Sequence, residues 1–264
     1  MLLSAGACVP PAHASATPSV ALSCLPQGSS GRTPAQYQWT QHGSTVERRE
    51  LPPAPGDASF LVQVEEQGVD VEIEIQDRAG VVIARSDSPV ERSALQFVRV
   101  PANSAGSVLV VRAKEPAGLV GTVRVSWVAI DRPNASGTPN DCMGAVLQWA
   151  EADMAYARGR LLTLGRMTAD AGSARAAFDA AARAYAAARS VLRGPANAYG
   201  QGLLELDLAA LAYYGSKDWS GAASWGARAA TTFAANHDAY RRARAQAIEA
   251  AAWIELATSA TGAD

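Results

Sequence analysis

The stretch VDVEIEIQDRAG, residues 69–80, decides the fold class because apolar and acidic residues alternate along it. Strict alternation is typical of a β-strand that buries one face and turns the other outward. The inward face is predicted to consist of Val71, Ile73 and Ile75. The outward face, called the acidic row below, is predicted to consist of Asp70, Glu72 and Glu74.

The same alternation continues on both sides of this stretch. Seven short strands are predicted, at residues 45–51, 59–66, 69–77, 81–86, 95–100, 107–113 and 120–130. Turn-forming residues separate the strands and no helical pattern interrupts them, which favours an antiparallel β-sandwich. Further inward positions are predicted on two other strands: Phe60, Val62, Val64, Val123, Val125 and Trp127.

The composition changes after a linker at 131–141 that is rich in turn formers. Between residues 142 and 258 alanine dominates and apolar positions recur at intervals of three and four, which predicts five amphipathic helices. Ala or Gly opposite larger residues lets such helices approach closely as hairpins. The last helix is predicted to bury a stripe formed by Tyr240, Ala243, Ala247, Ala250, Ile254 and Ala257. The fold class is therefore α+β multidomain, an antiparallel sandwich followed by a helical hairpin array.

The N-terminus predicts export. Residues 1–16 combine a short apolar run with small residues that suit a signal peptidase, although no Lys or Arg precedes the run. An irregular lead-in is expected at 17–44 and a tail at 259–264. The expected location is the periplasm or cell envelope. Lipid anchoring through Cys8 is the alternative, which Ala5 disfavours because a larger aliphatic residue is preferred there.

The charge of the chain excludes some classes of partner, and its cysteines indicate a disulfide. The net charge of -2 arises from interspersed signs, so neither a nucleic acid nor an anionic membrane surface is an expected partner. No segment after the leader reaches the roughly 18 apolar residues of a membrane span. Cys24 and Cys142 form a candidate disulfide in an oxidising compartment.

The acidic row has three interpretations: a calcium site, acid/base chemistry or ion pairs. Calcium prefers ligands that converge from loops, whereas outward arginines on other strands offer cross-strand pairs. The predicted cations are Arg99, Arg112 and Arg124. No nucleophile elbow or phosphate loop occurs in the sequence, and nothing local activates Cys142 toward His237. No catalytic residue, metal ligand or cofactor is therefore predicted.

One stretch of the sequence resembles a known family: AYYGSKDWSGAASWGARAATTF, residues 212–233. This stretch resembles a tetratricopeptide repeat, with Tyr213 and Trp219 as the aromatics around the turn and Ala222 and Ala229 as small packing positions. Preceded by GVDVEIEIQDRAGVVIARSDSPVERSALQFVRV, it resembles the N-terminal region of bacterial tetratricopeptide proteins that carry a CHAT domain, a caspase-like peptidase module. In those proteins a sandwich resembling the pre-peptidase C-terminal domain comes before the repeats.

The resemblance implies a non-catalytic module that binds a protein or peptide on its helical surface. The implied groove residues are Leu204, Asp207, Leu211 and Tyr214. An alternative is the regulatory or substrate-recruiting front of a CHAT peptidase whose catalytic domain is absent from this chain. A further alternative is a sandwich that binds calcium or a glycan.

Overall fold

A computed structural model describes residues 36–51, 59–101, 104, 106–130, 142–168, 173–194 and 197–261. Within them, eight strands precede five α-helices. The strands are β1 (Gln36–His42), β2 (Val46–Glu50), β3 (Ser59–Gln67), β4 (Val71–Gln76), β5 (Val82–Ser86), β6 (Leu95–Val100), β7 (Val108–Ala113) and β8 (Val120–Ile130). The helices are α1 (Cys142–Thr163), α2 (Ala174–Val191), α3 (Ala198–Ala210), α4 (Trp219–Ala235) and α5 (Ala239–Thr261).

The strands form two antiparallel sheets, which confirms the sandwich. One sheet has the order β1-β8-β3-β6 and the other has the order β2-β7-β4-β5. The predicted inward residues of β3, β4 and β8 all belong to one buried apolar cluster between the sheets. The period-two pattern thus identified the core face of the sandwich correctly.

The sandwich begins earlier than predicted, because the supposed lead-in contains β1. This strand pairs along its whole length with β8 and lies at a sheet edge. Its sequence QYQWTQH lacks a regular apolar row. Its aromatic rings nevertheless pack, with the Tyr37 ring 4.9 Å from the Trp127 ring between centroids.

Consecutive helices pack closely, and glycine permits the closest contacts. A Cβ atom on Gly159 of α1 would lie 2.5 Å from the Phe178 ring on α2, so a side chain has no room there. Gly226 of α4 similarly lies against the backbone of Ala245 on α5. After α3 the chain forms a π-helical turn, Leu211–Ser216, which ends at Lys217 in the left-handed region with φ 57°.

The helices dock directly onto the sandwich through α1, which packs on β5 and β6. A second buried cluster joins residues of both parts, and the Phe97 ring of β6 lies 5.1 Å from the Trp149 ring of α1. In the described part of the chain, the helices are too short or too polar to span a membrane. The predicted signal peptide, 1–16, and linker, 131–141, lie outside the described residues.

Candidate functional site: a cleft between sandwich and helices

The acidic row forms ion pairs with basic residues on neighbouring strands. In the register of the sheet, Glu74 on β4 lies opposite Arg85 on β5 and Glu72 lies opposite Arg112 on β7. Arg85 pairs with both acids, at 3.0 Å from its Nε to Glu72 Oε1 and closely to Glu74 Oε1. Arg112 lies 3.7 Å from Glu74 Oε2. Burial alone would raise the pKa of Glu74, but the hydrogen bonds from Arg85 and Gln76 and the charges of both arginines outweigh it and lower the pKa.

Two of the predicted cations do not contact the acidic row. Arg99 lies on β6 and Arg124 on β8, and both strands belong to the other sheet. Arg124 pairs instead with Glu65, at 3.4 Å. The row is also less exposed than predicted, since Asp70 and Glu74 are buried. The acidic row does form ion pairs, as expected. Its partners come from its own sheet, which contains β5 and β7, and not from the other sheet.

Lys114, just after β7, is the centre of a buried charge network. Its Nζ lies 2.7 Å from Asp70 Oδ1 and 2.6 Å from Asp87 Oδ1. Asp87 also accepts a hydrogen bond from Arg160 of α1, at 3.1 Å. Burial alone would lower the pKa of Lys114, but Asp87 and Asp70 outweigh that effect and raise it. Lys114 therefore stays charged and holds two carboxylates in place.

A third acid, Glu66, lies deeper beside this network. Glu66 is fully buried and accepts a close hydrogen bond from Gln96 Nε2. Burial raises the pKa of Glu66 well above its usual value, and the neighbouring Asp70 raises it further. Burial likewise raises the pKa of Asp70 to about 6, although Lys114 opposes the change. The network thus holds acids that resist ionisation next to a cation that does not lose its charge.

A cleft of about 290 Å³ opens over this network where β7 meets α1. We call it the junction cleft. Its charged lining comes from Glu72, Asp87, Arg112, Lys114, Arg160 and Arg166, and its apolar lining from Ala113, Ala157, Leu161 and Leu164. Four cations therefore face two carboxylates. The apolar side chains from α1 form one wall, and Leu164 at the rim is 55% exposed.

The charges of the cleft are not equally engaged. Lys114 and Arg160 are both paired with Asp87, and Glu72 is paired with Arg85. The Arg112 side chain remains 44% exposed and reaches Glu74 only at 3.7 Å. Arg166 is exposed, and no ion pair within the described ranges includes it. The geometry leaves these two guanidinium groups to meet an anion.

Buried hydrogen bonds fix the two walls of the cleft relative to each other. Asp153 of α1 accepts hydrogen bonds from the Phe97 backbone N–H, at 2.7 Å, and from the Tyr185 hydroxyl, at 2.6 Å. Asp207 of α3 accepts a hydrogen bond from the Ser88 hydroxyl, at 3.1 Å. Arg241 of α5 donates to the Ser93 carbonyl, at 3.1 Å. Three helices are thereby tied to loops and strands of the sandwich.

These contacts correct the groove that the family resemblance implied. Leu204, Asp207 and Leu211 are buried within the chain, because the sandwich and the neighbouring helices cover that side of α3. Tyr214 alone of the four remains substantially exposed, at 48%. The small positions Ala222 and Ala229 are buried as expected. The predicted groove is therefore not an open surface.

Of the two cysteines of the candidate disulfide, only Cys142 is among the described residues. Cys142 begins α1 and is disulfide-bonded. Cys24 lies outside the described residues, so its pairing with Cys142 stays a prediction. Among the described residues, no group of three or more His, Cys, Asp or Glu side chains is arranged to hold a metal ion.

The sequence missed most cations of the site. Arg85 and Lys114 carried a usable signal, because they lie near strand ends that pair with β4. Arg160 lies in α1 and Arg166 just after it. Arg160 is 73 residues along the chain from its partner Asp87. Their proximity depends on how the helices dock, which local periodicity does not reveal.

No protein-family model matches the sequence, and no curated protein is significantly similar to it. Solved structures with a distant likeness to this chain include two that are each 12% identical to it over 36% of its length. One is PliG from Aeromonas hydrophila, a periplasmic inhibitor of g-type lysozyme, with a TM-score of 0.27 over 85% of its chain. The other is the pre-peptidase C-terminal domain of a Bacillus anthracis collagenase, with a TM-score of 0.26 over 89% of its chain. Neither likeness is close enough to bear on function.

Proposed function

We propose that this protein is a non-catalytic binding module that holds a carboxylate-bearing segment of a protein or peptide partner in the junction cleft. The proposal keeps the predicted class of partner but moves the binding surface from the buried side of α3 to the cleft. The observation that carries it is the pair of exposed guanidinium groups, Arg112 and Arg166, beside an apolar wall.

The chemistry of the lining favours a carboxylate with an apolar neighbour. A guanidinium group is planar and can donate two parallel hydrogen bonds to a carboxylate. The carboxylates already in the cleft do not cancel these cations, since each is paired with another base. Leu161 and Leu164 provide adjacent apolar surface. A peptide that ends in an apolar residue offers both features within one residue.

Other parts of the proposal rest on sequence resemblance. We place the module in an exported bacterial protein, periplasmic or bound to the envelope, because residues 1–16 are predicted to be a signal peptide. We assign the helices to a divergent tetratricopeptide array and the sandwich to the pre-peptidase C-terminal type. The regulatory front of a CHAT peptidase remains the alternative, and its recruiting step could use the same cleft. A further alternative is a sandwich that binds calcium or a glycan.

Nuclear magnetic resonance can locate the binding site. The probes are acetyl-Ala-Ala-Leu with a free carboxylate, the same peptide as its amide, and acetyl-Glu-Leu-amide. We expect the free acid to shift amide resonances of residues 112–114 and 157–166. If the cleft instead binds an acidic side chain, acetyl-Glu-Leu-amide should cause larger shifts than the peptide with the free terminal carboxylate. Shifts confined to other surfaces, or none with either acid, would contradict the proposal.

Matched variants separate the cleft from general surface charge. Arg112→Gln and Arg166→Gln should each reduce the shifts caused by the free acid, because each removes one guanidinium group from the cleft. Arg99→Gln is the control, since Arg99 is an exposed arginine on the opposite sheet. Equal loss in all three variants would indicate a non-specific charge effect instead.

A further inference from the structure

The last helix, α5, carries two apolar faces, of which only one is covered. Its covered face packs on α4 and α3 through Ala245, Ile248 and Ala252, and beside them Arg241 reaches the sandwich at Ser93. The stripe that the sequence predicted to be buried is exposed instead: Tyr240, Ala243, Ala247, Ala250, Ile254 and Ala257. Tyr240 and Ile254 each expose more than half of their surface, and so does the adjacent Trp253. An apolar face with three large side chains in water indicates an interaction surface.

We propose that the exposed face of α5 pairs with the same face of a second copy of this chain, in an antiparallel arrangement with two-fold symmetry. The proposal is independent of the junction cleft, which lies between α1 and the sandwich. It commits to a second copy because the stripe is complementary to itself when reversed.

The spacing of the stripe supplies the first argument. Its six positions are separated by 3, 4, 3, 4 and 3 residues, which reads the same in both directions. Apolar residues spaced alternately three and four apart form the line of contact between two paired helices. When two copies run in opposite directions, every stripe residue of one helix therefore meets a stripe residue of the other. The centre of symmetry lies between Ile248 and Glu249.

The sizes of the side chains supply the second argument. In the antiparallel register Tyr240 meets Ala257, Ala243 meets Ile254, and Ala247 meets Ala250 of the second copy. Each large side chain thus faces an alanine, and the two central layers are alanine alone, which permits a short distance between the helix axes. A parallel pair would set Tyr240 against Tyr240 and Ile254 against Ile254 and would leave gaps at the alanines.

The charges supply the third argument. The first half of α5 carries Arg242, which is exposed, and Arg244, which already pairs with Glu91 at 3.3 Å. The second half carries Glu255 and Glu249, and Glu249 lies beside Gly226 of α4. An antiparallel pair brings the basic half of each helix beside the acidic half of the other. A parallel pair would align like charges over the whole length. Size and charge therefore select the same orientation.

Sedimentation equilibrium of the full chain tests the pairing from about 5 to about 500 µM, the range suited to a small interface. We expect a reversible dimer whose dissociation constant is micromolar or weaker. Ala247→Glu puts a carboxylate in each central layer and should weaken dimerisation at least tenfold. Ser224→Glu adds the same charge at an exposed position of α4 and should leave the dimer unchanged. Unchanged circular dichroism would show that both variants fold.

A size exchange tests the orientation. Ala243→Ile sets isoleucine against Ile254 and should weaken the antiparallel dimer, and Ile254→Ala should weaken it by loss of contact. The double variant restores one large and one small residue in each layer and should recover most of the wild-type affinity. Stronger dimerisation by Ala243→Ile alone would overturn the antiparallel register. A chain that stays monomeric throughout, or a dimer that Ala247→Glu leaves intact, would overturn the proposal and leave the face to a helix of another protein.

Discussion

Asp153 of α1 accepts a hydrogen bond from the backbone N–H of Phe97 on β6, at 2.7 Å, across the boundary between helices and sandwich. The other carboxylate oxygen of Asp153 accepts from Tyr185 of α2, at 2.6 Å. One buried acid therefore links a strand and two helices. Since a buried donor without an acceptor is costly, this residue is expected to hold the two parts of the chain together.

Replacing Asp153 should loosen that link. Asp153→Ala leaves two buried donors unpaired, and we expect the free energy of unfolding to fall by about 2–4 kcal/mol. Tyr185→Phe removes one of the two bonds and should cost about 1 kcal/mol. Asp179→Ala, which breaks only an exposed pair with Arg175 within α2, should cost less than about 0.5 kcal/mol. Urea titration followed by circular dichroism gives all three values, and equal costs would contradict the assignment.

Removing Lys114 should destabilise the chain more than removing a surface cation. Lys114→Met leaves Asp70 and Asp87 buried with less compensating charge, which costs about 3–5 kcal/mol. The control is Arg92→Ala, since Arg92 pairs with Glu115 on the surface and such pairs contribute about 0–1 kcal/mol. Thermal unfolding of the two variants provides the comparison. A cost for Lys114→Met as small as that of Arg92→Ala would show that the network is not held by this lysine.

The pH dependence of stability should carry the signature of Asp70. Its folded-state pKa is raised from 3.8 to about 6, so the folded chain binds this proton more tightly than the unfolded chain does. The stability that protonation contributes is complete below about pH 4 and is lost as the pH rises to about 6. Asp70→Asn cannot titrate and should abolish this component, whereas Asp179→Asn should not. If the free energy of unfolding declines between pH 4 and 6 by the same amount in the Asp70→Asn variant as in the wild type, Asp70 is not the source of the pH dependence.

Gly159 should be required for the close approach of α1 and α2. A methyl group at this position would meet the Phe178 ring, so we expect Gly159→Ala to cost about 1–3 kcal/mol despite its better helix propensity. Gly118→Ala is a suitable control because nothing lies within 4 Å of its Cβ position. Combining Gly159→Ala with Phe178→Leu should cost less than the separate effects added together. Simple additivity in the melting measurements would argue against a steric cause.

The sequence predicted strands and helices well wherever one face is strongly apolar. It failed at β1, where the apolar row consists of Tyr37 and Trp39 alone and the strand has a partner on one side only. It also failed to show what covers each apolar face. The pattern predicts that the stripe including Ala247 is buried, yet the buried positions of α5 lie one or two residues away from it, on the opposite side of the helix, and include Arg241. Periodicity identifies a face, but packing across the chain decides its environment.

The candidate site was less predictable than the fold for the same reason. Asp87 and Ser88 are adjacent in sequence, yet Asp87 pairs with Lys114 and Arg160 while Ser88 donates to Asp207, 119 residues further on. Only the docking of α1 and α3 onto the sandwich creates these contacts. The acidic row, by contrast, was correctly expected to form ion pairs, because strand pairing alone brings Arg85 and Arg112 beside it.

The affinity ratio between the free acid and the amide of acetyl-Ala-Ala-Leu tests the proposed function most directly. Calorimetric titration would measure the two dissociation constants in the wild type and in a double variant, Arg112→Gln with Arg166→Gln. We expect the wild type to prefer the acid by at least about tenfold, which corresponds to about 1.4 kcal/mol, and the double variant to lose that preference. Equal affinity for acid and amide in the wild type, or a preference that survives the double substitution, would contradict a carboxylate-binding cleft.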